Sequence, residues 1–219
     1  MRNLNVKSIT IKSVAQLCCV VDSQFQDNIE TTVIYRGLAD IGYRLCPKAG
    51  RFNPPENSGQ AELNESLMLQ LFRRQSVGLT SQILDGEWEF LAVAQHHGML
   101  TRLMDWTRSP LVAAYFAVAS ANQTYQKKEH SDSYVLREPD SVIYAWRCPK
   151  IHLSAKPSND PLKIEKVVRY VPRYVTPRIK AQSGLFSAHP KPKEELCDPD
   201  SMVKLVIPFR ERPALKHSL

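Results

Sequence analysis

Three polar residues in the middle of the chain are of the types that carry out acid–base chemistry. His97, Arg102 and Asp105 follow one another closely. Histidine titrates near neutral pH and can act as a general acid or base, while arginine and aspartate supply fixed charges. A ribonuclease that uses these three side chains is therefore one function that the sequence leaves open.

Metal chemistry has weaker support in the sequence. His96 and His97 are adjacent, and successive side chains on a helix point about 100° apart, so the pair cannot hold one ion together. The cysteines are odd in number, scattered and without a Cys-x-x-Cys pair. We therefore expect no metal site and no disulfide framework.

Arg36 is the residue with the clearest binding potential. It follows the β-branched and aromatic run Thr31–Tyr35, which predicts a strand, and it precedes Gly37. A guanidinium presents a planar fork that binds two oxygens of a phosphate or carboxylate at once. Arg36 is thus either a ligand contact or a structural arginine paired with Asp40 or Asp105.

The elements that must position these residues indicate a mixed α+β fold in a single domain, residues 1–219. Helix N-caps are predicted at Ser13 and Ser109, and a helix end at Gly98. Leu63, Leu67, Leu71 and Phe72 have helical spacing and predict an apolar helix face, while Tyr115 and Phe116 are expected in the core. Helices are predicted over 14–21, 63–72, 87–96 and 110–119, strands over 6–11, 31–37, 101–105, 141–146, 167–171 and 202–207, and a polar surface excursion over 122–139.

The charge of the chain is unevenly distributed. Residues 1–149 carry 15 basic and 15 acidic side chains, whereas residues 150–219 carry 14 and 7, which accounts for the net charge of +7. A basic C-terminal third is typical of a protein that binds nucleic acid or a phosphate-bearing ligand. A solvated basic surface or a seat for an acidic partner protein fits the same distribution.

No segment is long and apolar enough to span a membrane. The longest apolar run, residues 111–119, has nine residues, and about 20 are needed. Residues 1–4 contain no apolar signal segment. We therefore expect a cytoplasmic protein without a membrane partner.

Three stretches of the sequence resemble the FRG domain family, named after a Phe-Arg-Gly triplet. The first is Tyr35-Arg36-Gly37, with tyrosine in place of phenylalanine, and the second is the 24-residue block Ala94–Ala117. The third runs from Arg178 to Phe186 and contains Gln182. The resemblance spans about residues 30–190.

A more distant resemblance connects the chain to arginine-type ADP-ribosyltransferases. These enzymes have an aromatic-Arg-Gly triplet at the end of the first strand, then a strand, a Ser-Thr-Ser-like turn and a helix with Ala-x-x-Phe. Here the order is Tyr35-Arg36-Gly37, Thr107 and Ala113-x-x-Phe116. The resemblance implies an ADP-ribosyltransferase-like fold, with a split, twisted sheet flanked by helices, and NAD as substrate.

The same resemblance implies roles for individual residues. Arg36 would bind the phosphates or ribose of NAD, and Gly37 would let the backbone approach the ligand. Thr107 would bond the ribose or hold the first strand, and Trp106 or Tyr115 would stack on the nicotinamide. The implied NAD-binding residues are Tyr35, Arg36, Gly37, Trp106, Thr107, Ser109 and Tyr115.

The catalytic carboxylate has no direct counterpart in this sequence. Arginine-type ADP-ribosyltransferases have their catalytic glutamate on a late strand, where this chain has Gln182-Ser183-Gly184. A carboxylate is expected because the transfer passes through an oxocarbenium-like cation. Asp105, Glu165 and Glu194 are candidate substitutes, and Gln182 is either a ligand contact or a strand-end hydrogen bonder. The expected catalytic set is Arg36, Asp105 and Gln182, together with His97 as a candidate for acid–base chemistry.

The expected function is transfer of ADP-ribose from NAD to a macromolecule. Single-stranded RNA is the favoured acceptor because of the basic C-terminal third, and base-directed chemistry needs an unpaired base. Such an enzyme would harm its own cell, which suggests a toxin held by an antitoxin protein, as in antiphage defence. Two alternatives remain: a non-catalytic module that binds nucleic acid or a nucleotide, and the ribonuclease of His97, Arg102 and Asp105.

Overall fold

The computed structural model describes residues 6–28, 30–53, 64–76, 86–120, 124–127, 134–149, 160–172 and 184–219. They form two compact units, one of residues 1–43, 107–150 and 197–219 and the other of residues 44–106 and 151–196. The described strands are β1 Lys7–Thr10, β2 Thr31–Leu38, β3 Leu103–Thr107, β4 Thr124–Lys127, β5 Tyr134–Arg137, β6 Ser141–Pro149, β7 Val168–Tyr170, β8 Gly184–Ala188 and β9 Met202–Ile207. The described α-helices are α1 Val14–Gln24, α2 Glu65–Ser76, α3 Glu87–His96, α4 Pro110–Val118 and α5 Arg212–Ser218.

The first unit is built on strands in the order β1-β9-β6-β2. β1 runs parallel to β9, and the other two pairings are antiparallel. One face of these strands forms a buried core with helices α1, α4 and α5, since side chains alternate between the two faces. This core contains Val33, Tyr35, Ile143, Ala145, Leu205, Ile207, Leu17, Ala113, Ala117 and Leu215.

Helix α4 lies unusually close to strand β2 in the first unit. A Cβ atom built on Gly37 would come within 1.9 Å of the carbonyl oxygen of Ala113 and 2.8 Å of the amide nitrogen of Ala117. Glycine in the strand and alanines in the helix are the residues that permit this separation. The helix therefore buries its small residues and exposes larger ones.

The second unit combines helices α2 and α3 with strands in the order β3-β8-β7. β7 and β8 pair antiparallel, with Val168 opposite Ala188. Helix α3 is buried over Trp88–Gln95. Its core also includes side chains from α2, β3 and β8, namely Leu69, Leu103, Phe186 and Ala188.

The predicted α+β class and most of the predicted elements are confirmed. Ser13 and Ser109 cap α1 and α4 through their side-chain oxygens, and Gly98 after α3 has φ of 94°. The structure adds a hairpin of β4 and β5 inside the segment predicted as a polar excursion. Strand β3 begins and ends two residues later than predicted, so Asp105 lies inside a strand and does not initiate a turn.

Two predictions about buried faces are wrong. On α2, Leu67 and Leu71 are exposed by 49% and 46%, whereas Glu65 and Leu69 are buried. On α4, Tyr115 and Phe116 are exposed, because the side facing β2 is occupied by alanines. Leu63 lies outside the described residues.

Two features are absent from the described part of the chain. No helix there has the length and apolar character required to cross a bilayer. No group of three or more histidine, cysteine, aspartate or glutamate side chains in those residues is arranged to hold a metal ion.

Candidate functional site

Three parts of the sequence motif meet in the first unit, although they are far apart in the sequence. Tyr35 on β2 is the register partner of Thr107 at the end of β3. Gly37, two residues further along β2, lies against the backbone of Ala113 and Ala117 in α4. The strand end with the arginine triplet therefore lies beside both the threonine turn and the following helix.

The turn between β3 and α4 is fixed by two side-chain hydrogen bonds. The amide of Ser109 donates to Oγ1 of Thr107 over 3.0 Å, and the amide of Val112 donates to Oγ of Ser109 over 3.3 Å. Thr107 is buried. In this structure both hydroxyl groups accept hydrogen bonds from amides at the start of α4.

Arg36 lies on the opposite face of β2 from Tyr35, Thr107 and Gly37, because consecutive strand residues alternate. Its register partner on β6 is Tyr144, whose partner on β9 is Lys204. The Nζ of Lys204 lies 5.9 Å from the centroid of the Tyr144 ring. Arg36 and Lys204 are half-buried and Tyr144 is buried. We call Arg36, Tyr144 and Lys204 the cationic row.

The cationic row combines groups that suit a dinucleotide. A guanidinium and an ammonium carry two positive charges, and a pyrophosphate carries about two negative charges at neutral pH. The guanidinium binds phosphate oxygens as a fork and the ammonium binds them as a point charge. Arg36 and Lys204 are therefore of the residue types that bind phosphate groups.

Asp40 and Asp105, the two acids expected as possible structural partners of Arg36, each take part in a described contact. In the first unit Asp40 is buried and forms an ion pair with Arg137, with an Nη1–Oδ2 distance of 2.9 Å. Asp40 also accepts a hydrogen bond from the amide of Gly42. In the second unit Asp105 accepts a hydrogen bond from Gln95.

Tyr35 is placed as a core residue of the first unit. Burial, reinforced by the negative charge of Asp27 and opposed by the positive charge of Arg147, raises the pKa of Tyr35 to about 12. The phenol therefore stays protonated over the physiological range, and its ring packs in the core with Val33 and Ala113. The aromatic position of the triplet is a packing position here.

Asp105 is the candidate carboxylate with the most defined surroundings in the second unit. It is exposed on β3, and Nε2 of Gln95 donates to its Oδ1 over 2.9 Å. Oε1 of Gln95 accepts from Oγ1 of Thr101, and that hydroxyl accepts from the amide of Leu103. Gln95 and Thr101 are buried, so the amide that contacts Asp105 is held in one orientation.

Trp106 belongs to a buried hydrogen-bond chain in the second unit. Its Nε1 donates to Oγ of Ser187 over 2.9 Å, and that oxygen lies 2.8 Å from Nε2 of His189. Each of the three residues is at most 3% exposed. Because the ring is buried and its N–H group has a partner, Trp106 is placed to connect β3 to β8.

His97 and Arg102, two of the three residues of the possible ribonuclease, have different surroundings in the second unit. His97 is exposed after α3, with its ring centroid 6.1 Å from that of Phe72. Arg102 donates from its amide and from Nε to the two carboxylate oxygens of Glu65, over 2.7 and 2.8 Å. Its Nη1 donates to the carbonyl of Leu162 over 3.0 Å. The guanidinium of Arg102 is thus engaged by the protein.

The remaining predicted site residues are separate cases. Tyr115 is 53% exposed on α4 and contacts Phe116 edge-on. Glu165 and Glu194 are exposed in the second unit, and Glu194 pairs with Lys191. Gln182, with the segment 178–183, lies outside the described residues.

Sequence reasoning missed Tyr144, Lys204, Gln95 and Glu65. Tyr144 and Lys204 lie on strands that were predicted, but their position beside Arg36 depends on register between distant strands. Gln95 was available as the residue before the histidine pair. The sequence did not indicate that Glu65 is buried, because a glutamate at the start of a helix is ordinarily exposed.

The fold and this site define an α+β protein whose arginine-bearing strand ends beside a threonine turn and a tightly packed helix. Residues 31–126 match the family model of the FRG domain. The match includes the Arg36 triplet and the block 94–117, whereas the stretch 178–186 lies outside it. No curated protein and no solved structure matches the chain.

Proposed function

We propose that this protein is an ADP-ribosyltransferase that moves ADP-ribose from NAD to a macromolecule. The observation that carries the proposal is the pairing of Tyr35 with Thr107, together with the contact of Gly37 with α4. The triplet, the threonine turn and the helix occur in the order that the resemblance requires, and they are also neighbours in space. An ADP-ribosyltransferase-like split sheet belongs to the same proposal.

The cationic row supplies the binding chemistry. Arg36 and Lys204 would hold the two phosphates of NAD, because together they match its charge and its oxygen geometry. Once the pyrophosphate charge is neutralised, the reactive part of NAD is the bond between the ribose and the positively charged nicotinamide ring. The protein then orients NAD relative to the acceptor, and such orientation supplies a large part of the rate enhancement of a two-substrate transfer.

The reaction is balanced without a further reactant. The bond between C1′ of the ribose and the ring nitrogen of nicotinamide breaks, and its electron pair neutralises the ring. A nitrogen or oxygen of the acceptor bonds to C1′ and loses a proton to a base or to water. A carboxylate stabilises the cation that develops on the ribose. Asp105, Glu165 and Glu194 are the candidates that the sequence offers for this carboxylate.

The acceptor that the chain favours is single-stranded RNA. Residues 150–219 have an excess of seven positive charges, and an excess of positive charge attracts a phosphate backbone. Transfer to RNA would damage the host, so we extend the proposal to a toxin restrained by an antitoxin protein, as in antiphage defence.

The test is incubation of the purified protein with NAD labelled in the adenylate phosphate, together with RNA, DNA or total protein. Label on RNA with stoichiometric nicotinamide release is the expected result. NAD binding without nicotinamide release would instead support the non-catalytic binding module. Shortening of end-labelled RNA without NAD would support the nuclease, for which the engaged guanidinium of Arg102 is unfavourable.

A further inference from the structure

The second unit contains a cleft that the proposed transfer does not use. Its volume is about 730 Å³, and it is open to solvent. The lining comes from the start of α2, from Arg102 and Leu162, and from the loop 190–194. The volume is in the range of small-ligand pockets, which hold about 300 to 1,000 Å³.

We propose that this cleft binds phosphate groups, and that Lys191 and Lys193 are the residues that bind them. The charges of the lining favour an anion. Arg102 and Glu65 neutralise each other, at an Nε–Oε2 distance of 2.8 Å. The remaining charged residues of the lining are the two lysines and Glu194, so the formal charge of the lining is positive.

The ion pair of Lys191 with Glu194 does not prevent binding. Its Nζ–Oε1 distance is 3.0 Å, but the two side chains are 72% and 67% exposed. Such exposed pairs contribute little, because water screens them. A phosphate with more than one charge can therefore displace the carboxylate of Glu194 from the ammonium group.

The loop that carries the lysines is held in place before any ligand arrives. Gly50 lies so close to it that a Cβ there would be 1.7 Å from the carbonyl oxygen of Pro192. Arg44 donates a hydrogen bond to the carbonyl of Lys193. At the start of the loop the amide of His189 donates to the carbonyl of Arg102 over 3.1 Å. Binding therefore costs little loop ordering.

Phosphate chemistry has two sources, a phosphodiester backbone or a small phosphate, and the experiment separates them. We would measure the fluorescence anisotropy of a labelled single-stranded RNA dodecamer without NAD, from about 50 to 200 mM salt, and then its competition by inorganic pyrophosphate. Two phosphate contacts in the cleft should lower log K by about 1.4 per tenfold rise in salt, in addition to the effect of any other phosphate contacts. Displacement of RNA by millimolar pyrophosphate would indicate the small phosphate. Binding that resists it would indicate the backbone.

Three variants make the test specific to the cleft. K191Q/K193Q should weaken binding at least fivefold and reduce the salt slope, whereas E194Q should strengthen binding about two- to threefold. R74Q/K166Q removes two charges from exposed positions of the same unit outside the cleft lining, and it should change binding less than twofold. The proposal is overturned if K191Q/K193Q binds like the wild type, if R74Q/K166Q weakens binding equally, or if neither RNA nor pyrophosphate binds. None of these results depends on nicotinamide release.

Discussion

Tyr35 and Thr107 are directly opposite each other across β2 and β3, and this pairing joins two motifs that the sequence separates widely. Both side chains are buried, at 3% and 5% exposure. They lie on the helix-packed face of the first unit, and Arg36 therefore projects from the other face. The pairing of Tyr35 with Thr107 therefore fixes the part of β2 that carries Arg36.

The burial of Tyr35 predicts a loss of stability at alkaline pH. Its pKa is raised to about 12 in the folded protein, from 10 for an exposed tyrosine. Below pH 10 the phenol is neutral in both states. As the pH rises from 10 to 12 the unfolded chain releases the proton and the folded chain keeps it, so the free energy of unfolding falls. The loss is about 3 kcal/mol.

Urea unfolding at pH 9 to 12 measures this effect by comparison of the wild type with Tyr35→Phe. The other tyrosines and the lysines contribute equally to both curves, so the difference isolates Tyr35. The free energy of the wild type should fall more steeply than that of Y35F above pH 10. Parallel curves would show that the phenol ionises in the folded state as it does in water.

The close approach of α4 to β2 predicts that Gly37 cannot carry a side chain. Gly37→Ala would place a methyl group 1.9 Å from a backbone oxygen of Ala113. Relief requires the helix to move away from the strand, because no side-chain rotation is available. We expect a loss of about 3 kcal/mol or more in the free energy of unfolding.

Gly42→Ala is the matched control for Gly37→Ala in the same unit. Its methyl group would meet side-chain atoms, Nη2 of Arg137 at 2.9 Å and Oδ1 of Asp40 at 3.1 Å, and the arginine side chain is 44% exposed and can move at some cost to its ion pair with Asp40. The expected loss is about 1 to 2 kcal/mol, smaller than that of Gly37→Ala. Equal losses for the two variants in urea unfolding would contradict the tight contact between α4 and β2.

The buried pair of Glu65 and Arg102 predicts a large effect of neutralising either partner. The side chains are 7% and 13% exposed. Glu65→Gln leaves a guanidinium without its counter-charge, which should cost about 3 to 5 kcal/mol.

Glu87→Gln is the control, because it removes a similarly short ion pair with Arg73 whose side chains are 42% and 51% exposed. That loss should stay below about 1 kcal/mol. Chemical denaturation of the two variants compares them, and similar midpoints would disprove a structural role for Glu65.

Local signals in the sequence predicted local structure. Ser109 before Pro110 indicated the start of α4, and Gly98 indicated the end of α3, because caps and positive φ depend on a few neighbouring residues. The buried faces of the helices were harder to predict from the sequence. The buried side of α4 is formed by alanines, so the usual preference of large apolar residues for the core gave the wrong face.

Long-range relationships were beyond the reach of sequence patterns. A buried glutamate in α2 depends on an arginine far along the chain, and nothing near Glu65 shows that partner. The position of Tyr144 and Lys204 beside Arg36 depends on register across three strands. The sequence suggested that Arg36 and Thr107 belong together only through a resemblance, and their proximity required the pairing of β2 with β3.

The rate of nicotinamide release from NAD by Arg36 variants tests the account most directly. Arg36→Gln should lower the rate by a factor of about 100 or more, and Arg36→Lys should retain only part of it, because an ammonium lacks the fork. Arg210→Gln removes one exposed charge from the same unit and should match the wild type. Circular dichroism and thermal unfolding of each variant would verify folding. Wild-type rates in a folded R36Q protein, or no nicotinamide release by the wild type in the presence of RNA, DNA and protein acceptors, would contradict the account.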